Sequence, residues 1–504
     1  MKETMYGSSH QPTPSSDDMK RKRSGLSLNR GNTPTSMNIF KATSEKKATH
    51  TSKEVLIDVS TGMSLPYSSN DPPPPSPSSS ATTTMDDVPK NKKDQTENMR
   101  AGGHYGWLVV LGSSLASFTV FGTMMSWGVM QNYCVHHLFG DSSQNRTLVS
   151  FAGTLCYFVS DVFTPFACML ESLIGTQPAL LLGTFLVSGG LVASGSATEI
   201  WHLYLSHGIC FGLGSSIMYI VTMTITTEWF QRGGRMSTVN GIVTSSIGLA
   251  GLITPMIMTA SNSKLGVHWT FRILGLTFFG ANLITTLLVK QKDPKMHRAV
   301  KHMGDVIQWD LLKNTNLQIW ILSAFLQVLC IFVPYFFLPS YATFLGLSTA
   351  QGSSLVSVTA ATSCIGRISV GLFADRVGNL NASIVFSLIG GLTSLLIWTF
   401  AYDYSMLLIY AVAFGFFGGA YYTILAPTLR FILGAEQFHS GFSLLMVLTS
   451  PAIVGPTLAS TIESISPWEP FLSYKIFCGI VSITSCIVTL YLKLKLNPEI
   501  LAKL

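Results

Sequence analysis

From Tyr105 onward, apolar stretches of about 20 residues recur, each long enough to cross ~30 Å of hydrocarbon as a helix. They lie near 106–130, 147–169, 178–197, 200–226, 237–260, 269–289, 318–344, 350–374, 380–400, 405–427, 440–462 and 471–492. That is twelve predicted spans, with the longest gap, 290–317, in the middle. The expected fold is an all-α membrane protein of twelve transmembrane helices in two six-helix lobes. The predicted lobes are 104–289 and 318–492, joined by a polar, basic cytoplasmic loop at 290–317 and followed by a C-terminus at 493–504.

Charge supports a lipid solvent for most of the chain. Only 11% of the 504 residues are charged, against roughly a quarter in a soluble domain. Residues 1–103 hold 14 Lys/Arg and 11 Asp/Glu, leaving 32 charges for the other 401 positions. That first segment also carries Pro72–Pro75 and dense Ser/Thr. It is too polar to bury an apolar core and is expected to be a disordered cytoplasmic tail. Its basic run Lys20–Arg23 would suit an anionic leaflet or simply be solvated.

Loop charges set the expected orientation. The loops on the side of the termini, with the C-terminus, carry 13 Lys/Arg, whereas the opposite loops carry only Arg146, Lys264 and Lys475. By the positive-inside rule both termini are cytoplasmic. The plasma membrane is the expected location, with the vacuolar membrane as the alternative. Asn145, Arg146 and Thr147 then form a glycosylation sequon in an outward loop. The eight cysteines lie in or beside apolar runs without a CxxC pair, and read as small buried hydrophobes. No phosphate-cradling loop and no convergent acid, base and nucleophile set is present, so no enzyme, cofactor, metal or nucleic-acid role is expected.

Few residues inside the spans can carry chemistry. Arg367 lies about two turns from the end of span 8, and Asp161 lies in the inner half of span 2. A charge in hydrocarbon asks for a partner or a watery cavity. Arg367 either contacts an anionic group of a substrate or pairs with Asp161 between lobes, and Asp161 is a partner or proton carrier. Arg272, near the end of span 6, is placed to snorkel. His202 and His207 in span 4 read as structural or as a proton relay. Trp127, Tyr335, Tyr421 and Tyr422 either line a cavity for a planar ligand or pack. Gly208 and Gly212 in span 4, and Gly241, Ser245, Gly248 and Gly251 in span 5, allow close helix contact, static or sliding. Pro334, Pro339, Pro451 and Pro456 mark broken helices of the kind that border transport cavities.

Gly371, Asp375, Arg376 and Gly378 follow the GxxxDRxG pattern, which resembles the gating signature of the major facilitator superfamily; Glu171 to Gly175 is a degenerate echo. Three further stretches are similar to monocarboxylate-transporter-like members, of fungal type. They are Tyr105–Trp107 running to Gly122–Val129, then Glu228–Arg235 with Asn240, Gly241 and Gly248, and lastly Ile365–Arg376. The resemblance implies alternating access around a central cavity, a small-molecule substrate with protons as a candidate co-substrate (symport), and an anion-contacting role for Arg367. Animal lactate carriers have a lysine in span 1 and an aspartate one turn before the span-8 arginine. Here span 1 has no lysine and the second position is Ser363. Fungal relatives include a riboflavin carrier. The expected function is transport of a small organic solute, monocarboxylate-like or another anionic or aromatic metabolite. The alternative is a nutrient sensor that signals through the tail.

Overall fold

The computed structural model describes residues 103–140, 142–230, 234–292, 308–467, 469–499 and 502. The predicted tail up to residue 102, most of the central loop and Arg232 of the second motif lie outside the described residues. Everything crossing the bundle is helical. We number the spans α1 (His104–Phe139), α2 (Gln144–Val162 with Thr164–Ile174), α3 (Thr176–Ser194) and α4 (Ile200–Trp229). The element Met236–Leu288 has 53 residues, about 80 Å if straight, more than twice the hydrocarbon thickness. It turns at Gly266, where φ is 78°, and so supplies both α5 and α6. The second half adds α7 (Thr315–Phe344), α8 (Thr349–Val377), α9 (Asn379–Trp398), α10 (Tyr404–Leu433), α11 (Phe438–Ile465) and α12 (Leu472–Leu496).

The outer faces remain apolar. Met256, Leu276 and Leu287 are 66%, 66% and 64% exposed, which water would penalise and lipid tails accept. Two predicted features differ in detail. The expected gap between spans 5 and 6 narrows to the single turn at Gly266. Span 2 is one crossing bent by 51° between its two parts, because Pro165 starts a new helix just past the break at Phe163.

Capping locates several ends. Ser348 and Gln351 form a reciprocal capping box at the start of α8, and Gly378, with φ 104°, closes it. Glu463, at the end of α11, accepts the backbone N–H groups of Phe471 and Ser473 and so caps α12. Ahead of α7, Lys313 lies 2.7 Å from Asp310 and holds that carboxyl below its usual range; both side chains are exposed, so the pair contributes little.

The small residues separate into two kinds of contact. A Cβ on Gly208 would meet Leu155, and one on Gly212 would meet Val159; this pair packs α4 on α2 within the first half of the chain. A Cβ on Gly241 would lie 2.5 Å from the Arg367 carbonyl oxygen, and one on Gly371 would lie 2.4 Å from that of Ser237. Only glycine permits that approach, so α5 and α8 cross backbone to backbone.

Candidate functional site

A helix N-terminus presents unpaired N–H groups and a partial positive charge. At the start of α5 these belong to Ser237 and Thr238, and both donate to Asp375 at the end of α8, at 3.0 and 2.8 Å. The Thr238 hydroxyl donates to the same carboxylate at 2.5 Å, and that of Ser237 to Asn379 Oδ1 at 2.7 Å. Asp375 therefore latches the second half of the chain to the first. Arg376 points away, exposed. Farther along α5, Asn240 Nδ2 donates to the Thr423 carbonyl at 2.6 Å, and the Thr244 and Thr423 hydroxyls meet at 2.9 Å. On the other side of the bundle, the Ser443 hydroxyl of α11 donates to Cys168 Sγ of α2 at 3.1 Å. This end is shut.

The opposite half holds a cavity of ≈ 550 Å³, within the range of small-molecule sites. Its lining comes from α1, α2, α5, α7, α8 and α11, and includes Gln131, Tyr157, Phe332, Tyr335 and Thr457. Several of these sit where helices break, as the prolines imply. Phe332 precedes Pro334 at a break in α7, and the Ser450–Val454 turn interrupts α11 just before Pro456. Freed backbone groups there face a cavity rather than lipid.

Below it, a niche of ≈ 30 Å³ is lined by Arg367, Tyr335, Tyr422 and Ser363. Tyr335, Phe332, Met125, Gly251 and Ala360 line both spaces, so the two adjoin. Arg367 is only 4% exposed. Its Nε donates to Ser363 Oγ at 3.3 Å, and Nη1 donates to the Thr244 carbonyl at 2.9 Å. The guanidinium lies 5.7 Å from the Tyr422 ring centre, a cation–π distance. Among the described residues it has no ion-pair partner. A guanidinium has more donors than these two bonds use, and burying an ion costs several kcal/mol even after relaxation. Part of the donor capacity of Arg367 is therefore left unused by these two hydrogen bonds.

Asp161 sits just before the break in α2, one turn after Tyr157, half-buried and without an ion pair or a side-chain hydrogen bond among the described residues. Among the described residues it does not pair with Arg367. The expected aromatics divide. Tyr335 and Tyr422 flank Arg367, whereas Trp127 borders only the larger cavity. Trp127 is stacked on His207 at 4.1 Å and 8°, with Nε1 donating to the Val149 carbonyl. Tyr421 is buried against Trp320. His202 Nδ1 caps the start of α4, accepting from the backbone N–H groups of Thr198 and Glu199. Arg272 donates to Ser196 Oγ and lies over Trp269. Asn145, whose Nδ2 is the sequon's acceptor nitrogen, lies in the first turn of α2 and donates to the carbonyls of Phe139 and Gly140 at the end of α1.

The family model described as Major Facilitator Superfamily matches residues 107–456. The chain belongs to that superfamily. Its fold and relatives are those of transporters and not of enzymes. The facilitator is 26% identical over 276 residues to the MFS-type transporter pytF of Aspergillus terreus, spanning 55% of this chain and 91% of that one. It is also 26% identical over 397 residues to the agnestins efflux protein AgnL12 of Paecilomyces divaricatus, spanning 79% of this chain and 89% of the relative. Matches to three other fungal MFS-type transporters span only 61–63% of their length. Among solved structures, the Escherichia coli fucose:proton symporter FucP superposes with a TM-score of 0.60 at 14% identity, covering 76% of this chain and 98% of that one. The GxxxDRxG segment of this facilitator forms the Asp375 latch, and its span-8 arginine forms the niche.

Sequence reasoning missed Thr244, Phe332, Tyr157 and Tyr219. Thr244 acts through a backbone carbonyl, which leaves no side-chain signal. Phe332 and Tyr157 are ordinary aromatics until the fold sets them in the cavity wall, and Tyr219 lines neither cavity.

Proposed function

We propose that this facilitator carries an amphipathic organic anion with an aromatic or otherwise apolar body by alternating access, within the monocarboxylate-transporter-like branch of the superfamily. One observation carries the reading: Arg367 is a buried guanidinium with no ion-pair partner among the described residues, in a niche that adjoins an aromatic-walled cavity. A carboxylate-sized group enters the niche and takes the free N–H donors, while the body of the solute fills the larger space. One relative is an agnestins efflux protein, in keeping with transport of an organic solute. Span 1 lacks a lysine and Ser363 replaces the acid of lactate carriers, which also argues against the lactate route.

The lobes 104–289 and 318–492 are taken as the moving bodies, with both termini and the Asp375 latch on the cytoplasmic side. The state described is then outward-facing. The plasma membrane is the assigned location, with the vacuolar membrane second.

The test is a radiolabelled uptake panel of lactate, pyruvate, phenylpyruvate and riboflavin, using the full chain in lipid vesicles. Phenylpyruvate, an aromatic ring with a carboxylate, is expected to accumulate ahead of lactate. Uptake of lactate alone, or of riboflavin alone, would reject the proposed substrate class.

A further inference from the structure

Trp127 stands where α1 breaks, and its indole is held from two other helices. Ser126, with φ −96° and ψ 4°, departs from helical geometry, and Trp127 starts the second piece of α1. From α2, the Val149 carbonyl accepts from Nε1 at 3.2 Å. One turn on, a Cβ at Gly153 would lie 2.2 Å from the indole Cδ1 and 2.7 Å from Cγ and Nε1. Gly153 is the notch that lets the ring lie against the backbone of α2. From α4, His207 stacks on the indole at 4.1 Å and 8°, and Phe211 stacks on His207 at 5.0 Å and 22°. Both belong to the π-helical turn Tyr204–Phe211, a departure from the α-helix that is frequent at functional sites. His207 is fully buried, and neither ring nitrogen has a hydrogen-bond partner among the described residues. What the imidazole offers Trp127 is its flat face.

Trp127 and Gly153 both line the larger cavity, and Met125, two residues back on α1, lines that cavity and the Arg367 niche. Resting on the anion reading above, we propose that Trp127 is the size filter for the apolar body of the solute, with Gly153 and His207 as its positioning residues. A cavity side chain can usually change rotamer to admit a larger ligand. Here rotation would break the bond to Val149 and the stack on His207, and retreat is blocked by His207 and Phe271. The wall is fixed, so a fused second ring meets a penalty that a yielding wall would not impose.

The test uses the full chain in lipid vesicles and three acids of one chemistry: pyruvate, phenylpyruvate and naphthylpyruvate. The wild type should take phenylpyruvate ahead of naphthylpyruvate. Trp127→Phe, which shortens the ring, should raise the naphthyl-to-phenyl ratio of kcat/KM about tenfold, chiefly through KM. Gly153→Ala drives the indole into the cavity and should lower the phenylpyruvate-to-pyruvate ratio by a similar factor. In the double variant the smaller ring leaves room for the methyl group, and the ratios should return toward the wild type. A merely structural glycine would show no such rescue. Should Gly153→Ala fail to fold, Trp127→Phe carries the test by itself. Unchanged ratios in Trp127→Phe would overturn the proposal, as would equal losses for all three acids in Gly153→Ala.

A readout without solute keeps this separate from the anion reading. In protein labelled with fluorotryptophan, the Trp127 fluorine resonance is the one lost in Trp127→Phe. It should shift in Gly153→Ala and in His207→Leu, and a resonance indifferent to both changes would also overturn the proposal. If it shifts as expected while the wild type moves none of the three acids, the indole wall stands and the anion reading falls.

Discussion

Arg367 Nη1 donates to the Thr244 carbonyl at 2.9 Å, tying a cation of α8 to the backbone of α5. The bond is short, yet its acceptor is neutral. It orients the guanidinium without neutralising it.

Removing that charge should abolish transport while sparing the fold. Arg367→Ala loses two hydrogen bonds and a cation–π contact, but also relieves the cost of a buried ion. Delivery to the membrane is expected near the wild-type level, with uptake reduced at least a hundredfold. Arg367→Lys should fail as well, because a point charge cannot replace the planar fork. Loss of the protein from the membrane would indicate a structural role instead.

The latch should set which end of the cavity is open. Asp375→Asn keeps two oxygen- or nitrogen-bearing arms but loses the charge that faces the α5 N-terminus. Such contacts are worth up to ~2 kcal/mol, about a thirtyfold shift between states. A variant with Cys168 as its one cysteine reads the shift, because the Ser443 contact buries it in the closed end. Membrane-impermeant maleimide applied to the cytoplasmic side should label Cys168 faster in Asp375→Asn.

Gly371→Ala and Gly241→Ala should act in the same direction through sterics. Each adds a methyl group within 2.5 Å of a carbonyl oxygen across the α5–α8 crossing. The crossing must open by about an ångström or the helices must slide, at a typical overpacking cost of 1–3 kcal/mol. Faster labelling of Cys168 with slower uptake is expected. Gly208→Ala presses on Leu155 within one lobe, and should lower thermal stability without favouring either state.

A stability contrast is built into the far end of the second lobe. Lys475 Nζ donates to the Tyr341 hydroxyl at 2.8 Å and lies 4.0 Å from its ring centre, while that hydroxyl donates to the Ala401 carbonyl. Tyr341→Phe strands a buried ammonium, whereas Lys475→Met removes the ion and leaves the tyrosine bonded. Tyr341→Phe should cost more in thermal unfolding, by about 2 kcal/mol.

How legible this was in the sequence varies with the physics involved. The twelve spans follow from apolar length, a local property, and only the joint at Gly266 and the bend at Phe163 needed coordinates. Arg367, Asp375 and Asp161 stood out because charge is rare in a lipid-solvated body. What the sequence hid was pairing. Nothing local shows that Asp375 caps another lobe's helix, or that Arg367 bonds a carbonyl rather than Asp161. Trp127 illustrates the same limit. An aromatic in span 1 read as either cavity lining or packing does both, stacked on His207 and bordering the larger cavity.

The most direct test compares wild type with Arg367→Ala for uptake of phenylpyruvate into vesicles holding equal amounts of folded protein. The wild type should accumulate the solute in a saturable manner, and the variant should show only the leak of protein-free vesicles. Equal uptake by the two proteins would contradict the assignment of Arg367 as the anion site.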